Sequence, residues 1–465
     1  MLATDRTSEW LPRRTALVPV LLAAGFLIAS FLKSDLTNND FERFDDLRIT
    51  FLYFGLFAAA CFAYVALFLE RRALTPRDLL LGAVGAGVLL LASFPVGSKD
   101  PIGYAFFGKV WGTYHANPYL VAPASFPDDP WQPYFQVVWA KSPPPYGPLF
   151  LWQALAVDWL ARGSLLVALG LYKLIAAGML AVTVLLTARL LNVSAPAERW
   201  RALALLAWNP LLLFESIGTP HNDAVVIMLI VLSAIWMLCA EGGARARLAP
   251  APLMLGIWYK WYALLFVPVF LVAAYREGGL RAAGRWLAAA LFIGALCGAV
   301  LMAPLAEAVP AVWRGLVGQP NVWTIYPMWL SPVLAPLLWG LDALGLVGGR
   351  WGMAWFDGIR LTLFAIAALA VVASQWRGGL DLVGALCLLA VALTMLLAAA
   401  LQPWHVQLPV VFALAAGGRP WQTLAVVLTL VAILSYFFTW VWAAALLAVL
   451  ASAVWVLRRV QPVPA

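Results

Sequence analysis

The sequence predicts an all-α, polytopic membrane protein: one integral-membrane domain, residues 1–465, with about twelve to fourteen helical passes and re-entrant or interfacial segments in its outer loops. Three observations predict it. The chain is 64% hydrophobic and 11% charged, whereas a soluble chain needs about 25% charged residues to cover its surface. Apolar runs long enough to span a bilayer recur along its length. Between them lie short loops rich in arginine, which collects on the cytoplasmic side. That bias accounts for the net charge of +8 without a nucleic-acid partner.

The elements follow in order. Arg6, Arg13 and Arg14 precede an apolar run from Ala16 to Leu32 that ends in Lys33-Ser34-Asp35. It is longer than a signal-peptide core and lacks a small-residue cleavage site, so it reads as a retained first helix with a cytoplasmic N-terminus. The loop from Lys33 to Arg48 carries Asp35, Asp40, Glu42, Asp45 and Asp46 and reads as external. Thr50–Leu69 returns to Arg71, Arg72 and Arg77, and Leu79–Val96 exits again. The stretch 97–147 is then the first long outer loop, too polar and proline-rich for lipid.

Pro148–Trp159 is short for a span and reads as a dip from the outer face. Leu165–Leu191 crosses inward to Arg199 and Arg201, Ala202–Ile217 outward, and Ala224–Ala240 back to Arg245 and Arg247. Pro250–Tyr275 has arginines at both ends, so it must go out and return as two short helices with Lys260 near the turn. Broken helices at membrane depth line a wet cavity or are buried in protein. Ala288–Ala303 leads to the second outer loop, 304–331, and 332–347 reads as re-entrant or interfacial. Trp355–Ser374, Leu380–Leu401, Val406–Ala416 and two last spans bring the C-terminus inside at Arg458-Arg459. Cys61, Cys239, Cys297 and Cys387 all fall in apolar segments and read as core residues without a disulfide.

This topology puts His115, His221 and His405 on the outer face, with Asp100 and Lys260. Polar groups gathered at one membrane face point to a site there. Four segments carry them. Asp100 opens the first outer loop, ahead of Tyr104 and His115-Ala116-Asn117-Pro118-Tyr119. An interfacial carboxylate there is either a helix cap, which Pro101 suits, or a base for a hydroxyl. Asn209-Pro210-Leu211 through His221-Asn222-Asp223-Ala224 surrounds an outer turn. Asn222 and Asp223 suit an N-cap, but capping needs no imidazole. Lys260 lies within Trp258-Tyr259-Lys260-Trp261-Tyr262, either snorkelling or holding a phosphate as a point charge. Gln402-Pro403-Trp404-His405 ends a span.

These segments, in this order and on one side, resemble the GT-C superfamily of integral-membrane glycosyltransferases. The likeness is to bacterial polyprenol-phosphate-mannose-dependent α-mannosyltransferases and covers roughly Leu79 to Ala416. Asp100 matches the Asp that opens the first outer loop, and Asn117-Pro118-Tyr119 part of a Gly-x-Asn/Asp-Pro-Tyr element. Tyr146-Gly147-Pro148-Leu149 matches a Tyr-x-Pro-Leu entry to the next helix. Asn209 to Leu211 with His221 to Ala224, the turn at Lys260, and Pro403-Trp404-His405 match later elements. Two positions depart: Lys99 stands where Gln is frequent, and His115 where Gly is usual.

The resemblance implies an inverting hexosyl transfer, of mannose or another hexose, from a polyprenyl-phosphate donor to an envelope glycan or glycolipid at the outer face of the inner membrane. Asp100 would be the general base. Lys260, His405 and His221 would meet the leaving phosphate, with Asn222, Asp223, Tyr104, Tyr146 and Trp404 lining the substrate site. A lipid-phosphate leaving group requires no divalent ion, so no cofactor or metal is expected. Two rivals remain: a transporter of lipid-linked solutes, for which internal repeats are missing, and an O-antigen ligase or polymerase, for which outer-loop arginines other than Arg314 are scarce.

Overall fold

Each helix follows from an apolar run closed by recognisable caps. The computed structural model describes residues 10–33, 46–70, 74–135, 140–239, 248–312, 345, 349–397, 402–437, 451–455 and 458. No β-strand occurs among the described residues. Five of their helices are long and apolar enough to cross a membrane, six if one bent pair counts as a broken span, and four apolar helices of 10–17 residues accompany them. The chain is a polytopic, all-α membrane protein. The expected dozen or more passes included short and broken pieces one by one. Most of the second outer loop, with Trp313, Arg314, Trp323 and Trp329, lies outside the described residues, as do 332–347 apart from Gly345 and most of the last span.

Two units are present: residues 1–144 with 149–228, and 145–148 with 229–465. The first begins with α1 (Trp10–Leu32), α2 (Leu47–Leu69) and α3 (Pro76–Ala92). The Asp46 side chain accepts from the Arg48 N–H and caps α2; Thr75 caps α3, with Pro76 in its first turn. Phe26 of α1 sits 4.8 Å, ring to ring, from Phe57 of α2. Leu21 and Phe62 are exposed at 68% and 78%, as lipid-facing side chains are.

Next come α4 (Asp100–Gly112), α5 (Pro148–Ala161) and α6 (Leu165–Ser194), the last capped by Ser164. A Cβ at Gly108 of α4 would lie 2.2 Å from the Ala154 carbonyl oxygen of α5, and one at Gly112 would lie 2.3 Å from Asp158. Only glycines let the two backbones approach so closely.

The expected outward crossing Ala202–Ile217 is not one helix. It consists of α7 (Arg199–Ala207), a four-residue α8 (Pro210–Leu213) and a π turn at Phe214–Gly218. A bend of 119° then leads into α9 (Asp223–Leu238). Pro210 has no N–H for the ladder, and Asn209 caps the new start by accepting from the Leu212 N–H at 3.1 Å. Hydropathy alone cannot register such breaks.

The second unit contains the tail of α9, then α10 (Pro250–Tyr259), a 3₁₀ turn at Trp261–Phe266 and α11 (Val267–Met302). Lys260 between them is extended, with φ −143° and ψ 117°, so the run breaks where the arginines required. α11 breaks again at Gly278 and Gly279, the latter at φ +66°. Trp258 packs against Gly298 and donates its indole N–H to the Gly294 carbonyl at 2.8 Å. Helices α12 (Gly349–Trp376), α13 (Leu382–Ala392), α14 (Gln407–Ala416) and α15 (Arg419–Ser435) follow. The four cysteines are free thiols, and only Cys387 is buried. The core reading therefore fails for Cys239, which is exposed, and for the half-buried Cys61 and Cys297.

Candidate active site

Asp100 is the first residue of α4 and half-buried. Its backbone N–H donates to the Ser98 hydroxyl at 3.1 Å. The N-cap position belongs to Lys99, whose side chain makes no capping bond. One turn on, Tyr104 is buried with its ring edge-on to Phe150 at 5.4 Å and Tyr172 at 5.7 Å. Its hydroxyl reaches the Asn222 side-chain oxygen at 3.5 Å.

Asn222 belongs to the bend before α9, where His221, Asn222 and Asp223 are all buried. The His221 backbone N–H donates to the Glu215 carbonyl at 2.9 Å, and its ring Nδ1 lies 3.4 Å from Glu215 Oε2. Asp100 and Asp223 both act electrostatically on Glu215. Glu215, His221, Asn222 and Asp223 are thus buried at one bend of the first unit, with Glu215 against His221. Asp100 is more accessible than the two carboxylates there, because Glu215 and Asp223 are 1% and 3% exposed. The Asn222 amide nitrogen and Glu215 Oε1 have no hydrogen-bond partner among the described residues. No three His, Cys, Asp or Glu side chains among the described residues are arranged to hold a metal ion.

The other expected site residues belong to the second unit. Lys260 Nζ lies 5.6 Å from the Tyr146 ring and 5.7 Å from the Tyr262 ring. The Gly147 N–H donates to the Tyr259 carbonyl at 2.9 Å, and a Cβ at Gly147 would meet the Trp258 carbonyl oxygen at 2.0 Å. The Tyr146-Gly147 segment is therefore the seat of the Lys260 turn. Trp404 and His405 share a 3₁₀ turn with rings 5.8 Å apart. His405 Nδ1 accepts from the Gln402 N–H at 3.3 Å, which leaves Nε2 as its donor.

His115 is exposed at φ +52°, the left-handed region that favours glycine. That accounts for the glycine usual at this position. Asn117 Oδ1 accepts from the Tyr119 N–H at 3.1 Å, so this element also builds a turn.

Glu215 lies in the segment around the outer turn that the sequence singles out but has no role assigned there, although a carboxylate in an apolar run is itself a signal. A buried latch on the outer segment escaped the sequence reading. Lys109 of α4 forms an ion pair with Asp129 and lies 4.1 Å from the Trp131 ring centre. The Tyr114 hydroxyl donates to the same carboxylate. Burial and the Asp129 carboxylate push the Tyr114 phenol up to about 12, so it keeps its proton, and this bond, until strongly alkaline pH. Asp129→Asn leaves Lys109 buried without its counter-charge, a loss of about 3 kcal/mol. Limited proteolysis is expected to cut faster between residues 113 and 135 in this variant; an unchanged rate means the latch does not hold the segment.

The family described as alpha-(1→6)-mannopyranosyltransferase, N-terminal domain, matches residues 20–276. The chain is 26% identical over 407 residues to an alpha-(1→6)-mannopyranosyltransferase of Mycobacterium tuberculosis, an alignment covering 73% of this chain and 65% of the relative. It is 27% identical over 357 residues to a probable alpha-(1→6)-mannopyranosyltransferase of Mycolicibacterium smegmatis, covering 68% and 61%. The chain thus spans a little under two thirds of the length of these curated relatives. No solved structure matches it.

Proposed function

The chain belongs to the alpha-(1→6)-mannopyranosyltransferase family, and from that premise we propose that it is a membrane mannosyltransferase using a polyprenyl-phosphate-linked donor. The acceptor is a glycan or glycolipid of the cell envelope. The protein resides in the inner membrane with both termini cytoplasmic and acts at the outer face of that membrane. The observation that carries the reading is the half-buried Asp100 at the edge of a buried cluster of Tyr104, Glu215, His221, Asn222 and Asp223.

In this mechanism the acceptor hydroxyl oxygen attacks the anomeric carbon from the face opposite the phosphate. The new C–O bond forms as the bond to the phosphate oxygen breaks, and that oxygen leaves with the electron pair. The hydroxyl proton passes to Asp100. A free aspartate side chain, pKa about 3.9, is a weak base for an alcohol, so the proton moves late, as the sugar gains positive charge. One displacement inverts the anomeric centre. A fixed cation and imidazole N–H donors stabilise the charge growing on the phosphate. Lys260, framed by Tyr146 and Tyr262, is the first assigned to it, then His405 beside Trp404, then His221 held by Glu215.

The test is transfer by the protein in liposomes, with radiolabelled mannose on polyprenyl phosphate in one arm and on a nucleotide in the other. Transfer from the lipid arm alone, undiminished by EDTA, is expected. Transfer from the nucleotide alone, or loss of turnover on chelation, sinks the reading.

A further inference from the structure

We propose that Lys173 is a positioning residue, whose ammonium group fixes the chain segment carrying Asp100. The proposal rests on the reading of Asp100 as the base. Lys173 lies in α6, one of the candidate spans, and is only 2% exposed. A buried lysine in an apolar helix is expensive, and such residues mark function more often than stability.

Its bonds show what it holds. Nζ donates to the Leu90 carbonyl at 2.8 Å, to the Ser93 hydroxyl at 2.9 Å and to the Ser93 carbonyl. An ammonium has three protons, and these three acceptors engage them all. Lys173 is therefore not a phosphate ligand in waiting. Leu90 and Ser93 form the C-terminal end of α3, where unpaired carbonyls and the helix dipole favour a cation. These bonds fix the end of α3, and seven residues after Ser93 α4 begins with Asp100.

The connection between them is tied at every step. The Phe94 N–H donates to the Ser30 hydroxyl of α1 at 2.9 Å. The Val96 carbonyl accepts from the hydroxyl of Thr219, two residues before His221. Asp100 donates its N–H to Ser98. Beside Lys173, Tyr172 packs edge-on against Tyr104. Two consecutive residues of α6 thus touch the segment leading into Asp100 and the tyrosine one turn beyond it. Removing the Lys173 head group relieves the burial of a polar group but leaves the Leu90 and Ser93 carbonyls without its donors, which loosens the end of α3. What Lys173 supplies is the position of Asp100.

The experiment compares wild type, Lys173→Met and Ser93→Ala in liposomes, each with and without Asp100→Asn, by transfer kinetics and by amide hydrogen exchange over residues 93–104. Lys173→Met is expected to lower kcat about a hundredfold, as a misplaced catalytic group does. KM for donor and acceptor should change less than about twofold. Exchange across the segment should rise, and no further loss should appear in the Asp100→Asn background. Ser93→Ala removes one acceptor and guards against a Lys173 variant that does not fold; it is expected to lower kcat about fivefold. A wild-type kcat in both variants overturns the proposal. So does unchanged exchange, or a fall in kcat that persists in full beside Asp100→Asn. If Asp100→Asn alone transfers mannose at the wild-type rate while exchange still rises in Lys173→Met, the base assignment falls and the anchoring of the segment stands.

Discussion

Asp100→Asn is expected to slow mannosyl transfer about 10³-fold, within the range a general base contributes and equal to roughly 4 kcal/mol of transition-state stabilisation. The amide has the size of the carboxylate but does not take the acceptor's proton. The backbone bond from residue 100 to Ser98 does not depend on the side chain, and the residue is only half-buried. The variant should therefore melt within a degree or two of wild type, since exposed changes away from special features shift stability by about 0.5 kcal/mol or less. Glu215 and Asp223 are not substitutes, because both are buried. Initial rates with the lipid-linked donor, alongside thermal melting in detergent, decide the matter. A folded variant with the wild-type rate removes Asp100 from the chemistry.

The second large effect lies at Gly108, well away from the reacting atoms. An added methyl would sit 2.2 Å from the Ala154 carbonyl oxygen and 2.7 Å from its carbon, a backbone wall with no rotamer to relieve it. Gly108→Ala must push α4 off α5. Overpacking of this kind costs about 1–3 kcal/mol. Because α4 begins with Asp100, transfer is expected to fall at least about tenfold even where the variant remains folded. Gly170→Ala is the control: its Cβ meets nothing within 4 Å in the α6 helix, and alanine is the better helix former by about 1 kcal/mol. Equal melting temperatures and rates for the two variants contradict close α4–α5 packing.

Where the chain is governed by charge and hydropathy, sequence and structure agree. The arginines on both sides of Pro250–Tyr275 required a break near Lys260, and the helix ends at Tyr259 with Lys260 extended. Pro148 opens a short helix, as its apolar run implied. Other features depend on local capping or on contacts between distant residues, neither of which hydropathy reads. Ala202–Ile217 is apolar enough to pass for a straight span, yet Asn209-Pro210 and the π turn break it. Within the site, Asp100, His221, Asn222 and Asp223 stood out as polar groups at the ends of apolar runs. Glu215 and Lys173 lie inside such runs, and their importance shows only once their partners, His221 and Ser93, are in place. The Lys109–Asp129 pair is not legible in the sequence because it joins residues 20 apart in number.

The 119° bend between α8 and α9 bears on how the chain is inserted. At that bend the Thr219 N–H returns to Phe214, the His221 N–H to Glu215, and the Thr219 hydroxyl crosses to Val96. Hydrocarbon offers backbone groups no substitute partners, so this hairpin is unfavourable as a solitary guest in lipid. The ribosome delivers the α3–α4 junction first, and that junction supplies the acceptor the bend needs. The Val96 carbonyl that holds Thr219 is thus already in the chain when the bend is made, and the two segments close on each other within the first unit.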